Sequence, residues 1–211
     1  MENMADSTPY IEFCFDFISP YAYLASTQMP ALSERLAIPV LWQPVNLPRL
    51  IKLSGNTPPA KVRNKARYLM RDLKLWSQHL EVPFHLIKPG DFDSRPALAA
   101  CQELDKRDRE ILSTAIFKAL WADSINYLEE DWLERVLTAA GLPSEWTFSD
   151  TYSQQMDEVN SKTTAIHKDG AFGVPTFFLR GAGRTQMFWG IDRLDFLVKA
   201  TEKALKRTWS D

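Results

Sequence analysis

The sequence contains few of the side chains that build metal centres and disulfide frameworks. Its 211 residues include two cysteines, Cys14 and Cys101, which are too far apart to form a CxxC pair. The three histidines, His79, His85 and His167, have no companion cysteines and no metal-ligand spacing. A zinc site needs three or four converging ligands, and structural disulfides are characteristic of exported proteins. The sequence therefore predicts neither kind of site, and Cys14 is expected to be a small buried hydrophobic residue.

The charge balance and the hydropathy pattern exclude two further classes of partner. The formal net charge is −2, the pI is near 6, and no basic stripe with interleaved aromatic residues is present, so nucleic acid is not a predicted partner. No uninterrupted apolar run approaches membrane-spanning length. Residues 1–9 are polar and acidic and lack the pattern of an export signal. We expect a soluble cytoplasmic protein with a short disordered lead-in and no membrane partner.

The first part of the chain has the pattern of a βαβ unit. Residues 10–17 are aromatic and apolar, which predicts a buried strand, and residues 21–36 predict a helix. Pro30 lies inside that helix, and because proline removes a backbone hydrogen bond we expect a kink or break at residues 27–29. Residues 39–45 predict a second strand. A strand, a helix and a strand so close together predict parallel strands with a right-handed crossover.

The centre of the chain is helical in its periodicity, and strand patterns return only near the end. From residue 56 to about residue 165 the pattern predicts helices at 61–80, 95–104, 109–122, 129–140 and 147–168. Strands are then predicted at 174–180 and 185–189, around a turn at 181–184, before a last helix at 192–206. Pro175 should place its strand at a sheet edge or at a special backbone site. Asp192 is the expected N-cap of the last helix.

This order of elements predicts the fold class. A βαβ unit, a helical block and a ββα unit on one sheet are typical of an α/β, thioredoxin-like fold with a large all-α domain inserted between its two halves. We predict the first part of the thioredoxin-like domain at residues 1–54, the inserted α-helical domain at 55–168 and the second part at 169–211.

Ser19 is the candidate functional residue of the first half, because strand character ends there and helix character begins. Pro20 suits the first turn of a helix, which places Ser19 at the N-cap, a position that favours serine. The free N–H groups and the dipole of a first helical turn favour an anion at this position. The sequence therefore predicts a site that holds negative charge beside a hydroxyl or, as the simpler alternative, a serine that only caps the helix.

Four stretches together carry a resemblance to a known family. They are residues 16–24 (DFISPYAYL), residues 55–60 (GNTPPA) followed by 65–69 (KARYL) and 72–73 (DL), residues 170–176 (GAFGVPT) and residues 188–194 (FWGIDRL). In this order and at these spacings the chain resembles the kappa-class glutathione transferases and the related 2-hydroxychromene-2-carboxylate isomerases. That group has a thioredoxin fold akin to the disulfide oxidoreductases of the DsbA type, and the resemblance extends from about residue 10 to residue 205.

The resemblance implies that Ser19 hydrogen-bonds the sulfur of bound glutathione. Ser19 occupies the place of the first cysteine in the CxxC motif of the redox relatives, and Ala22 occupies the place of the second. Because a resolving thiol is missing, disulfide exchange by the chain's own cysteines is not expected. The same resemblance makes Pro175 a cis-proline that faces the site. It also implies that the backbone of Val174 pairs with the cysteinyl part of glutathione, as an added β-strand would.

The remaining glutathione contacts that the resemblance implies come from the insert and from the segment before the last helix. Asn56 and Lys65 would hold glutathione from the insert. Asp192, with the backbone of Ile191, would bind the γ-glutamyl end, where a carboxylate suits the ligand's ammonium group. Many relatives have serine at the position of Ile191, so a hydroxyl contact is missing here while a backbone contact would survive. Taken alone, Asn56 would be a turn residue, Lys65 a solvated charge and Asp192 a helix cap.

A substrate-facing wall is predicted from aromatic residues, since an aromatic substrate requires apolar surface. The candidates are Tyr21, Trp76, Phe172 and Trp189, and the alternative for each is a place in the hydrophobic core. The resemblance implies an enzyme that uses glutathione as cofactor, a small aromatic or electrophilic substrate as partner, and a homodimer.

Residues 173–178 and Trp76 favour the isomerase branch of the resemblance over the transferase branch. An isomerase of this kind would convert a chromene carboxylate to trans-o-hydroxybenzylidenepyruvate by reversible thiolate addition, as a step of aromatic catabolism. The first alternative is a kappa-class glutathione transferase that conjugates electrophiles or reduces peroxides. The second is a thioredoxin-fold binding protein without enzymatic activity.

Overall fold

The computed structural model describes residues 8–87, 91–143, 148–181 and 183–208, without the side chains of 148–150 and 207–208. Some predictions lie partly outside these ranges, including the start of the helix at 147–168 and the end of the domain part at 169–211. The lead-in predicted at residues 1–9 is described only from Thr8 onwards, and the turn predicted at 181–184 includes residue 182, which is not described.

The βαβ unit is present and its helix is broken in the predicted place. Strand β1 spans Tyr10–Phe15 and β2 spans Val40–Pro44. The connection consists of two helices, α1 (Pro20–Ser26) and α2 (Met29–Leu36), rather than one. Pro30 lies in the first turn of α2, where a missing N–H costs nothing, so the predicted break is confirmed and the proline begins the second helix.

The central block contains helices and no strand in the part of 55–168 that the structure describes. Its helices are α4 (Arg63–His79), α5 (Arg95–Glu103), α6 (Lys106–Trp121), α7 (Trp132–Ala139) and α8 (Phe148–Lys168), with a 3-10 turn at Pro59–Lys61. A further helix, α3 (Leu47–Leu53), follows β2 and was not predicted. Its start is encoded in Asn46, whose side chain accepts a hydrogen bond from the backbone N–H of Arg49 at 3.1 Å.

The last part of the chain returns to the sheet and corrects two predictions. It consists of β3 (Thr176–Arg180), β4 (Gln186–Trp189), a 3-10 turn at Ile191–Arg193 and α9 (Leu194–Thr208). Asp192 is not the N-cap of α9, because the 3-10 turn delays the helix to Leu194. Pro175 does not mark an edge strand either, since it precedes β3, and β3 is an interior strand of the sheet. The alternative of a special backbone site is correct, because the Val174–Pro175 bond is cis.

The four strands form one mixed sheet in the order β2-β1-β3-β4. The pair β1–β2 is parallel, as predicted, and the pairs β1–β3 and β3–β4 are antiparallel. This arrangement is the predicted thioredoxin-like α/β fold with a helical insertion.

The sheet and the helical block share one hydrophobic core. On the sheet, the rings of Phe13 and Phe177 stack with centroids 5.3 Å apart. On the helical side, Phe117 of α6 contacts Phe15 and Phe17 with ring centroids at 5.4 and 4.8 Å. Aromatic pairs at these separations contribute beyond the area they bury. The insert is thus packed directly against the end of β1, where Ser19 follows.

None of the described helices has the length and the apolar content that a membrane crossing requires.

Candidate active site at the start of the first helix

Ser19 caps α1, as the sequence predicts. Its backbone is extended, and its Oγ accepts a hydrogen bond from the backbone N–H of Ala22 at 3.2 Å. Ser19 is 5% exposed, so most of the residue is shielded from solvent. A serine hydroxyl accepts and donates at the same time, and accepting the Ala22 N–H leaves the hydroxyl hydrogen to donate to a ligand.

The loop that presents Ser19 is fixed by the helical block. Trp121 of α6 donates its indole Nε1–H to the carbonyl of Phe17 at 2.9 Å, and Trp121 is buried. Within the loop, the Ser19 N–H donates to the carbonyl of Asp16 at 3.0 Å. Because these loop groups have protein partners, the position of Ser19 depends on the packing of the insert as well as on α1.

A buried carboxylate beneath this loop was missed by the sequence analysis. Asp16 is fully buried, its Oδ1 accepts the N–H of Ile18 at 3.2 Å, and its Oδ2 accepts the N–H of Leu47 at 2.8 Å. Burial raises the pKa of Asp16 to about 6, although hydrogen bonds from Ser94, Leu47 and Ile18 act in the opposite direction. The sequence gives a single indication of this buried carboxylate, which is an acidic residue directly after an apolar strand. Asp16 joins the Ser19 loop to α3 and to the start of α5.

The turn before α9 connects the cis-proline to α1. The carbonyl of Pro175 accepts a hydrogen bond from the N–H of Gly190 at 3.0 Å, which ties the Val174–Pro175 bond to the turn Ile191–Arg193. That turn packs against α1. The structure therefore brings the segments that carry Ser19, Val174, Pro175, Ile191 and Asp192 together.

The carboxylate of Asp192 is half exposed and folds back over Gly190. The side chain of Asp192 is 53% exposed, and its Oδ2 lies 3.1 Å from Nη1 of Arg193. Gly190 has a φ of +97°, which only glycine adopts easily, and a Cβ at this position would lie 2.6 Å from Oδ1 of Asp192. Gly190 therefore provides the space that Asp192 needs to keep its present orientation.

If Asp192 contacts glutathione, as the family resemblance implies, replacing Gly190 with alanine should weaken glutathione binding about tenfold, since the new Cβ forces the Asp192 carboxylate out of its present orientation. Isothermal titration with glutathione measures this change. Gly183→Ala is the matched control, because Gly183 also has a positive φ (+83°) but a Cβ added there would meet no atom within 4 Å. Both variants lose some stability from backbone strain, and only Gly190→Ala should lose affinity. Equal affinities in the two variants would remove Asp192 from the glutathione site.

Asn56 and Lys65 are exposed on the helical block, and the structure does not show them in contact with Ser19. The placement of Lys65 follows from α4. The hydroxyl of Tyr21 donates to Oδ2 of Asp72 at 2.6 Å, which holds α4 against α1. Lys65 lies seven residues before Asp72, two helical turns away on the same face of α4. Its side chain is therefore on the face that looks toward α1.

The four aromatic candidates divide into two groups. Phe172 and Trp189 form a tilted pair with ring centroids 4.7 Å apart, and Trp189 is 46% exposed beside the cis-proline segment. Tyr21 and Trp76 are half-buried and pack against the core. Burial, followed by the hydrogen bond to Asp72, raises the pKa of Tyr21 above its ordinary value. The phenol therefore stays neutral, and its hydroxyl hydrogen is already engaged in the hydrogen bond to Asp72.

The chain's own thiols are not part of the site. Cys14 and Cys101 are buried, and burial raises the pKa of both, that of Cys101 to about 12. A thiol becomes nucleophilic only as the thiolate, so neither cysteine is a reactive group here. Among the described residues, no group of three or more His, Cys, Asp or Glu side chains is placed to hold a metal ion.

Comparisons with known proteins agree with this geometry. The family model described as a DSBA-like thioredoxin domain matches residues 10–202. A 2-hydroxychromene-2-carboxylate isomerase of Sphingobium xenophagum is 31% identical over 194 residues, which cover 90% of this chain and 96% of the relative. Glutathione S-transferase kappa 1 of Rattus norvegicus is 26% identical and covers 92% of each chain. The solved structure of a selenomethionine 2-hydroxychromene-2-carboxylate isomerase superposes with a TM-score of 0.81 at 25% identity, covering 95% and 98% of the two chains.

Proposed function

The chain belongs to the DSBA-like thioredoxin family, and from this premise we propose that it is a glutathione-dependent isomerase acting on 2-hydroxychromene-2-carboxylate or a close analogue. One observation supports this proposal more strongly than the others do. Ser19 stands at the N-cap of α1 with a hydroxyl hydrogen to donate, α1 packs against the turn that is hydrogen-bonded to the cis-proline, and both cysteines are buried with raised pKa values. To carry out thiol chemistry at this place, such a chain would need a thiol from a ligand.

The residues present fit glutathione. The Ser19 hydroxyl would donate to its sulfur, and the backbone of Val174, just before β3, would pair with its cysteinyl amide groups. Asp192 offers a half-exposed carboxylate to the γ-glutamyl ammonium group, with the backbone of Ile191 beside it. Lys65 and Asn56 would reach the ligand from the insert, where the positive charge of Lys65 suits a ligand carboxylate.

When held by Ser19, Val174 and Asp192, glutathione would supply a thiolate that can add reversibly to the conjugated double bond of the ring-opened substrate. That bond would be single in the adduct and free to rotate, and expulsion of the thiolate would restore it as the trans double bond and return glutathione unchanged. The contribution of the chain is to hold that sulfur ionised. Because α1 has only seven residues, we assign most of this stabilisation to the Ser19 hydroxyl and less to the helix dipole. A hydrogen bond to the charged form favours that form and lowers its pKa.

A kappa-class glutathione transferase is the second candidate, favoured by the similarity to the rat enzyme along 92% of this chain. In that reaction the glutathione sulfur would bond to an electrophile, or glutathione would be oxidised by a peroxide, and glutathione would be consumed. We further propose that the protein is a homodimer, that it is located in the cytoplasm and that it acts in the catabolism of aromatic compounds. We also propose that the domain boundaries lie near residues 54 and 168.

Proton NMR of the protein with 2-hydroxychromene-2-carboxylate, with and without catalytic glutathione, tests the proposal. We expect rapid formation of the trans-alkenyl keto acid with glutathione unconsumed. Loss of glutathione with an added electrophile, but no reaction of the chromene, would support the transferase instead.

Glutathione at millimolar concentration should also raise the melting temperature by several degrees, because a ligand that binds the native state stabilises it. S-Methylglutathione, which has no thiol proton to lose, is the matched control ligand for the part of the shift that depends on the sulfur. If neither compound moves the melting temperature, the protein is a thioredoxin-fold binding protein that does not use glutathione.

A further inference from the structure

The loop at residues 16–19, which connects β1 to α1, is held together by its first residue. The backbone N–H of Ser19 donates to the carbonyl of Asp16, and the backbone N–H of Ile18 donates to the carboxylate of Asp16. Both residues that follow the turn of the loop are therefore hydrogen-bonded to Asp16. A movement of Asp16 changes the path of the loop, and the Ser19 hydroxyl moves with it.

Asp16 is also anchored to two helices outside the loop. Its Oδ2 accepts the N–H of Leu47, the first residue of α3. The same carboxylate is hydrogen-bonded to Ser94, the N-cap residue of α5. The Ser94 side chain makes no capping hydrogen bond in α5, so its hydroxyl serves the carboxylate rather than the helix. One fully buried side chain thus fixes the Ser19 loop relative to α3 and α5.

This arrangement requires an ionised carboxylate. An ionised carboxylate only accepts hydrogen bonds, and here each oxygen accepts one backbone N–H, from Ile18 and from Leu47. A proton on either oxygen would compete with the N–H that this oxygen accepts. The Ser94 hydroxyl can turn from donor to acceptor, whereas a backbone N–H cannot. Protonation of Asp16 therefore disturbs the backbone contacts that hold the loop.

The surroundings determine the pH at which the proton binds. Burial raises the pKa of Asp16 to about 6, the hydrogen bond from Ser94 acts to lower it, and the negative charge of Asp93 acts to raise it. The charged side chains that line one groove with Ile18 and Ser94 are Arg49, Lys52, Asp93 and Arg95. Asp16 is therefore ionised at neutral pH and becomes protonated in mild acid.

We propose that Asp16 is a positioning residue, whose ionised carboxylate holds the loop at residues 16–19 so that the Ser19 hydroxyl is directed at the ligand sulfur. The inference rests on the proposed function, because it uses the donor role assigned to Ser19. Asp16 is fully buried, so it acts through Ser19 and does not touch the ligand.

The first test uses the protein without glutathione. NMR of the isotope-labelled protein follows the side-chain carboxyl shift of Asp16 and the couplings that report the χ1 rotamer of Ser19, from about pH 4.5 to about pH 8. We expect both to change with one midpoint. Ser94→Ala should raise that midpoint by about half a pH unit and Asp93→Asn should lower it by a similar amount. Asp157→Asn, an exposed residue of α8, is the control for loss of one charge.

The second test measures turnover of 2-hydroxychromene-2-carboxylate at pH 7. Asp16→Asn leaves one acceptor oxygen for two backbone N–H groups. We expect this variant to lower kcat about tenfold, with KM for glutathione within about twofold of the wild-type value. In a Ser19→Ala background the same substitution should lower kcat less than about twofold, because the residue through which Asp16 acts is already missing.

The outcomes separate this inference from the proposed function. Losses in kcat that multiply in the double variant would show that Asp16 acts independently of Ser19, and the inference would be wrong. A Ser19 rotamer that stays constant while Asp16 titrates would overturn it as well, even if Asp16→Asn does not fold. If the chromene is not converted and glutathione does not bind, the proposed function fails, and the titration alone decides whether Asp16 positions Ser19.

Discussion

Replacing Ser19 with alanine should lower turnover about 30-fold at pH 7 while the fold and most of the glutathione affinity survive. A free thiol has a pKa near 8.5, so about 3% of it is thiolate at neutral pH. If the Ser19 hydroxyl lowers this pKa by about two units, most of the bound thiol is ionised, and removing the donor returns the fraction close to the free value. The measurement is kcat at saturating glutathione, together with the thiolate absorbance of the complex as a function of pH.

The N-cap role of Ser19 must be separated from its role as a donor. Alanine removes both the cap and the donor, and loss of the cap costs about 1 kcal/mol of stability. Glycine also removes the donor, but as a cap it costs only about a few tenths of a kcal/mol. Ser19→Gly is therefore the matched control, and we expect it to be as slow as Ser19→Ala but more stable. Both variants should recover most of their rate near pH 9.5, where the thiol ionises without help. Wild-type turnover in Ser19→Gly would show that Ser19 only caps α1.

Replacing Asp16 with asparagine should remove the pH dependence that this buried carboxylate gives to stability. The pKa of Asp16 is raised from 3.8 to about 6 in the folded protein, which therefore binds this proton more tightly than the unfolded chain does. The stabilisation is fully present below pH 3.8 and is lost as the pH rises through about 6. Relative to Asp16→Asn, the wild type should gain about 2 kcal/mol in free energy of unfolding between pH 7 and pH 4.

Urea denaturation at a series of pH values measures this difference, provided that the m-value is the same in both proteins. Asp93→Asn is a control for which the pH dependence of stability should have the opposite sign, because hydrogen bonding to Arg95 lowers the pKa of Asp93. Relative to Asp93→Asn, the wild type should lose stability as the pH falls. A wild-type curve that runs parallel to that of Asp16→Asn would mean that Asp16 is not a buried carboxylate of raised pKa.

The elements that the sequence predicts correctly are those specified by local chemistry. Pro30 inside an otherwise helical stretch predicts the break between α1 and α2, and Ser19 before Pro20 predicts the cap. The family resemblance predicts the cis bond at Pro175, which no local pattern would have indicated, since most X–Pro bonds are trans. The parallel pairing of β1 with β2 also follows from simple rules of connection.

The features that the sequence does not reveal are those that depend on distant partners. Asp16 receives its hydrogen bonds from Ile18, Leu47 and Ser94, and only the folded chain brings α3 and α5 to it. Asp192 is wrongly predicted as a cap, because a 3-10 turn and a helix share the same apolar spacing at their junction.

The position of β1 in the sheet affects how the chain folds during its synthesis on the ribosome. β1 leaves the ribosome before β3, its antiparallel partner, which follows it by more than 160 residues. At about 5–20 residues per second, β1 waits roughly 10–30 seconds for that partner. During this time the core around Phe13 and Phe15 can be covered by α1, by α2, by β2 and by the helices of the insert, but not by β3. We therefore expect a nascent chain stalled before residue 176 to present an unpaired strand edge and to depend on chaperones until synthesis resumes.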